Sequence, residues 1–220
     1  MSIRLSKWIV MPLAVLLLGG AALAQEPSSS GSSAQGSSAT TATPAKQPTI
    51  AERKENQQDR IASGVKSGQL TAGETANLES KEAAINGETR ADRAASGGKL
   101  TESEKQRINR QQNQLSKQIY QDKHNAKTAQ YGNNKVGQRR ENQQDRIAQG
   151  IKSGQLTAGE TAKLENQQRG INQQVKADRS ANGGKLTAGE KQQINKEQNA
   201  ASKNIYNKKH NSKTQAGTKK

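Results

Sequence analysis

The 220-residue chain has no cysteine and no phenylalanine, one tryptophan, two methionines and three tyrosines. Without cysteine it has no disulfide staple, no thiolate metal site and no cysteine nucleophile. Met1, Trp8 and Met11 all lie in the first 24 residues, so beyond them tyrosine is the only aromatic. That scarcity argues against stacking on single-stranded nucleic acid. Pro48 is the last of four prolines, and everything after it lacks the strongest helix breaker. No acidic block balances the 35 lysines and arginines, which outnumber 19 acids for a net charge of +16. Only 29% of residues are apolar, many of them alanine, so the composition leans toward the disordered class and warns against a deep core.

Residues 1–24, MSIRLSKWIVMPLAVLLLGGAALA, have the three parts of a secretory signal peptide. Arg4 and Lys7 precede an apolar run from Trp8 to Leu18, and Ala22-Leu23-Ala24 forms the cleavage signature. The run is shorter than the roughly 20 residues that span a bilayer, so no integral membrane span is expected after cleavage. No cysteine follows the site to carry a lipid anchor. Loss of Arg4 and Lys7 lowers the net charge from +16 to +14. Residues 25–49, rich in Ser, Thr, Gly and Pro, read as a disordered tether. The expected location is periplasmic or secreted.

SGQLTAGETA occurs at 67–76 and again at 153–162. Glu55, Asp59 and Tyr120 reappear as Glu141, Asp145 and Tyr206, a constant offset of 86 that marks a tandem duplication. Apolar residues are sparse but fall at helical spacing, as in Ile61/Val65, Leu78/Ile85 and Ile108/Leu115/Ile119, and strand alternation is absent. The expected fold is all-α, a tandem duplication of a three-helix hairpin module. Repeat 1 occupies 50–125 and repeat 2 occupies 138–212, with a linker at 126–137 and a basic tail at 213–220. The predicted helices are 51–66, 72–95, 102–124, 138–152, 158–181 and 188–210. With so few apolar residues, each module is expected to be marginal alone and to gain from pairing with its copy or from self-association.

The duplicated letters carry a local signal. Thr71/Glu74, Thr101/Glu104, Thr157/Glu160 and Thr187/Glu190 each place a glutamate three residues after a threonine, the capping box that starts a helix. A leucine precedes each threonine, and a glycine turn precedes each leucine. The same turns resemble EF-hand hairpins in glycine and leucine placement. With each glutamate as position 12, however, position 1 falls on Ser63, Arg93, Gln149 and Arg179, and no acid stands at positions 1, 3 or 5. His124 and His210, each in I-Y-x-x-K-H-N, have no second metal-binding partner nearby in sequence. They read as helix C-caps whose charge complements the helix dipole. Tyr120 and Tyr206 are expected to close the open end of the bundle. No nucleophile elbow, phosphate-cradling glycine loop or zinc helix is present. No enzyme activity, metal site or cofactor is expected.

The pattern R-I-x-x-G-x-x-S-G-x-L-T-x-x-E, a glycine turn with a second L-T-x-x-E, and I-Y-x-x-K-H-N run from Arg60 to Asn125 and from Arg146 to Asn211. This pattern resembles an uncharacterised exported helical-repeat family of bacteria, a likeness that implies export and helical repeats but no activity. The L-T-x-x-E boxes are also similar to the L-T-x-x-Q boxes of small periplasmic chaperones and stress regulators of the Spy and CpxP type, with Glu in place of Gln.

The charge clusters Arg53-Lys54, Arg139-Arg140, Lys208-Lys209 and Lys219-Lys220 are the candidate polyanion-binding residues. An excess of this size attracts polyanions by counterion release. The leading expectation is an exported non-catalytic protein that binds acidic envelope or extracellular polymers. One alternative is a stress-protective protein, chaperone-like or hydrophilin-like, which the glycine content and a mean hydropathy of −1.06 suit. A calcium-binding EF-hand-like protein is the other.

Overall fold

The computed structural model describes residues 47–215, over which six α-helices form and no strand appears. They are α1 (Ile50–Lys66), α2 (Ala72–Ala95), α3 (Glu102–Lys123), α4 (Lys135–Lys152), α5 (Ala158–Ala181) and α6 (Ala188–Lys209). The chain is thus an all-α tandem duplication. The signal-peptide reading, most of the tether, and Lys219 and Lys220 lie outside the described residues. Among the described residues no helix is long and apolar enough to cross a membrane.

Capping boxes fix the helix starts. Thr71, Thr101, Thr157 and Thr187 each accept from the amide three residues on, while the glutamate there accepts from the threonine amide. Thr49 and Glu52 make a fifth box that opens α1, which sequence reading passed over. Glycines with positive φ then reverse the chain ahead of each L-T-x-x-E, such as Gly68 at 71° and Gly154 at 67°. One expected boundary moves. The fourth helix begins at Lys135 and not at 138, because Asn134 Oδ1 accepts from the Gly137 amide at 3.1 Å and caps an earlier first turn.

The most extensive helix contact joins the two copies, α2 against α5, and the next is α1 against α4. α3 packs on α1 and α2, and α6 packs on α4 and α5. Like helices therefore pair with like. The contacts are reciprocal: Gly73 of α2 lies beside Arg169 of α5, and its copy Gly159 lies beside Ala83, the copy of position 169. This exchange is that of an isologous dimer built within one chain. It runs α2 and α5 antiparallel, crossing near Leu78 and Leu164. One core cluster takes Ile61, Leu78, Ile119, Ile147, Leu164 and Ile205 from both copies. A satellite of Val136, Ile171, Val175, Ile194 and Ala201 fills the far end of repeat 2.

Glutamine supplies the rest of the interior. Gln57 Nε2 donates to Gln112 O at 2.6 Å and Ser116 Oγ at 2.8 Å, and Gln143 repeats both bonds to Gln198 O and Ser202 Oγ at 2.7 Å. Gln112 and Gln198 donate in turn to the carbonyls of Ile50 and Val136. All four are buried. A side-chain amide on an inward helix face thus bonds the backbone of the neighbouring helix, fixing register where apolar packing is thin.

Close approach is equally repeated. A Cβ on Gly64 would stand 2.7 Å from Leu70 Cγ, and one on Gly150 2.6 Å from Leu156 Cγ, whereas Cβ atoms on Gly87 and Gly170 meet nothing within 4 Å. Gly64→Ala and Gly150→Ala should each cost about 1–3 kcal/mol by overpacking. Gly87→Ala and Gly170→Ala should each stabilise by about 0.5–1 kcal/mol through helix propensity. Urea midpoints of the four variants test this; a shift of the same sign in all four would contradict the packing described.

Candidate functional site

The glutamates of the L-T-x-x-E boxes spend their oxygens on amides. Glu74 Oε2 accepts from the Thr71 amide at 3.0 Å, and its Oε1 accepts from Asn125 Nδ2 at 2.8 Å. Glu160 repeats this with Thr157 and Asn211, at 3.2 and 2.6 Å. Burial acts to raise the Glu160 pKa, but hydrogen bonds from Asn211 and Thr157 outweigh it and hold the carboxyl below its ordinary value. Backbone bonds from Thr101 and Thr187 likewise lower Glu104 and Glu190. Asn125 and Asn211, the last letters of I-Y-x-x-K-H-N, therefore latch the ends of α3 and α6 to the starts of α2 and α5. Among the described residues no three His, Cys, Asp or Glu side chains gather as a metal-holding group.

His124 and His210 sit at the C-caps of α3 and α6, each with Nδ1 2.7 Å from the carbonyl of Tyr120 or Tyr206. The tyrosines do not close the bundle. Tyr120 is 61% exposed and Tyr206 58%, each stacked on its histidine with centroids 4.2 and 4.1 Å apart. The preceding Ile119 and Ile205 take the inward position, and the 100° step between neighbours on a helix turns the tyrosines outward.

Each basic pair divides its work. Arg53 Nη1 donates to Asn113 at 2.8 Å, and Arg139 Nη2 to Asn199 at 2.6 Å, both near the surface. Lys54 and Arg140, one residue on, turn inward. Arg140 is only 7% exposed, so it is no surface contact; its guanidinium lies 5.4 Å from the Tyr131 ring centroid and donates to Gln130 O. Lys208 and Lys209 are half-buried near the end of α6, and burial lowers the Lys209 pKa.

What the structure does assemble is a groove at the tip of repeat 2, between the start of α4 and the α5–α6 turn. It encloses about 890 Å³ and presents Lys135, Arg139, Arg179, Lys185 and Lys191 over Val136 and Leu186, with no carboxylate in its lining. The equivalent groove of repeat 1 holds Arg93, Lys99 and Lys105 beside Ile50 and Leu100. The copies differ in charge. Residues 47–134 hold 14 Lys and Arg against 11 acids, for +3, whereas residues 135–215 hold 16 against 7, for +9. Three ion pairs form among the described residues, Lys105–Glu102, Arg107–Glu88 and Arg107–Asp92, and all lie in repeat 1. Sequence reading ranked adjacent basic letters, whereas the groove gathers cations from three segments; only the surplus in the second copy hints at it.

The seam between copies holds three buried carboxyls that sequence reading also missed. Gln58 Nε2 donates to Glu79 Oε2 at 3.1 Å, and Gln144 to Glu165 at 2.9 Å, leaving one oxygen of each glutamate without a partner. Burial pushes Glu79 well above the carboxylate range and Glu165 up to about 8. Burial also pushes Glu82 up to about 7, against the pull of Lys54 and Asn86. No protein-family model, curated protein or solved structure matches this chain.

These carboxyls set a pH dependence. Between their ordinary value near 4.5 and about 8 the folded state holds protons that the unfolded chain has released. Stability is therefore full below the unfolded pKa and is lost as pH rises through the folded values. Thermal unfolding should occur at lower temperature at pH 8.5 than at pH 5, with Glu165 alone contributing a loss of stability on the order of 3 kcal/mol. Glu165→Gln should flatten the profile, and a wild-type melting temperature that rises between pH 5 and 8.5 would contradict it.

Proposed function

We propose that this chain is an exported, non-catalytic binding protein for acidic polymers of the cell envelope or matrix, such as lipopolysaccharide, anionic glycans or extracellular DNA. The observation that carries the reading is the groove of repeat 2, where five cations converge with no carboxylate among them. A groove of one charge sign concentrates field and captures a flexible polyanion chiefly by releasing its counterions. The apolar floor of Val136 and Leu186 suits the stem of a glycan or lipid headgroup as well as a bare charge. The smaller cationic groove of repeat 1 lets one long polymer engage both copies, which raises affinity without new chemistry. The resemblance to exported helical-repeat proteins agrees with that location and adds no activity.

The full chain should bind immobilised heparin at low ionic strength and elute at moderate salt. The quadruple variant Lys135→Gln, Arg139→Gln, Lys185→Gln, Lys191→Gln should elute at clearly lower salt, with a slope of log K against log salt shallower by about 3–4. Absence of retention at low salt would refute the reading, and so would retention that survives high salt unchanged.

A further inference from the structure

Arg140 is a buried cation without a carboxylate. Its Nε has no hydrogen-bond acceptor, its guanidinium donates to Gln130 O, and it is more than nine-tenths buried. Burial disfavours its charge and Arg179 opposes it, while the face of the neutral Tyr131 ring lies against the guanidinium. An isolated buried charge is costly and is expected to find a counter-ion.

The first copy shows what is missing. Position 140 corresponds to Lys54, and that half-buried lysine is favoured by Glu82 on α2. The residue that corresponds to Glu82 is Gln168. The second copy has the inward cation and, at the matching position, no acid. Two further cations, Lys176 and Arg179, join Arg140 and Asn172 in lining a cleft of about 470 Å³. Asn172 Oδ1 also lacks a partner, so its amide group is free to turn either end toward a ligand. Arg179 lines both this cleft and the tip groove, which makes one cationic track from the surface to Arg140.

We propose that the Arg140 cleft binds one phosphate or sulfate ester group of an acidic polymer, which supplies the counter-ion that repeat 2 lacks with Gln168 in the place of Glu82. A small turn of the Arg140 side chain brings its guanidinium, whose Nε has no acceptor, to a charge-assisted hydrogen bond with one oxyanion oxygen, and Lys176 and Arg179 neutralise the others from the mouth. A cleft of this size takes an oxyanion and the sugar or headgroup attached to it. The assignment rests on the polyanion reading and names the place where a single group of that polymer is held.

The test follows the Arg140 Nε–Hε resonance in the full chain at pH 7 and constant ionic strength, titrated with inorganic phosphate, then with a heparin hexasaccharide, against a chloride control. Both anions should give a saturable shift that chloride does not, the hexasaccharide at lower concentration. Gln168→Glu restores the internal acid and should weaken the phosphate response at least tenfold. Lys176→Ala with Arg179→Ala, both at the mouth of the cleft, should weaken it severalfold without loss of helical signal. A linear or absent shift at Arg140, or wild-type affinity in both variants, would overturn the site. A shift with phosphate and none with the hexasaccharide would overturn its assignment to a polymer. Heparin retention of the wild type separates the two levels: retention with a silent Arg140 removes this site alone, and no retention removes the polyanion reading with it.

Discussion

The structure depends on the pairing of α2 with α5, which gives each copy the apolar surface that neither has alone. Leu78 and Leu164 meet near the crossing, and isoleucines and leucines from both copies close over them. A three-helix hairpin with eight or nine buried aliphatic side chains and no buried aromatic has little to set against the entropy of ordering its chain. Duplication solves this as homodimerisation does, by apposing the same face twice, and the covalent connection removes the concentration dependence of a dimer. The pairing also places Glu79 and Glu165 in the seam, each tied to the adjacent helix by a glutamine. The interface is thus held by apolar contact and by carboxyls that are more comfortable protonated.

The helix starts were legible in the sequence because a capping box is local. Four residues contain both partners, and all four expected boxes form with both bonds. Helix ends agreed closely for the same reason, since glycine turns need only their own backbone. The glutamine interior was not legible, because Gln57 and Gln143 read as ordinary helix formers until the partner helix is in place. Their one signal was verbatim repetition of E-N-Q-Q-D-R-I-A at 55–62 and 141–148, more than a solvated face requires. Tyr120 does not close the bundle because Ile119, its neighbour in sequence, holds the inward position. The burial of Arg140 was not legible, because adjacency to Arg139 hides the 100° between them.

The two copies share a frame and differ in what they carry. The L-T-x-x-E caps, the Gln57 and Gln143 bonds and the Asn-to-Glu latches recur almost atom for atom, whereas repeat 2 has fewer acids. Glu82, Glu88 and Asp122 stand opposite Gln168, Gln174 and Lys208. None of these exchanges alters a cap or a core aliphatic, so the frame tolerates them while the surface field rises. That division lets the first copy pair its charges internally and the second direct them outward. Candidate function therefore concentrates in repeat 2, in the tip groove and the Arg140 cleft that share Arg179.

The central claim is that the copies complete one another's core, and a fragment of residues 47–134 tests it most directly. Its helicity by far-UV circular dichroism, followed over a wide concentration range, should be low when dilute and rise as fragments self-associate through α2. A fragment that is monomeric, fully helical and as heat-stable as the full chain at every concentration would contradict it.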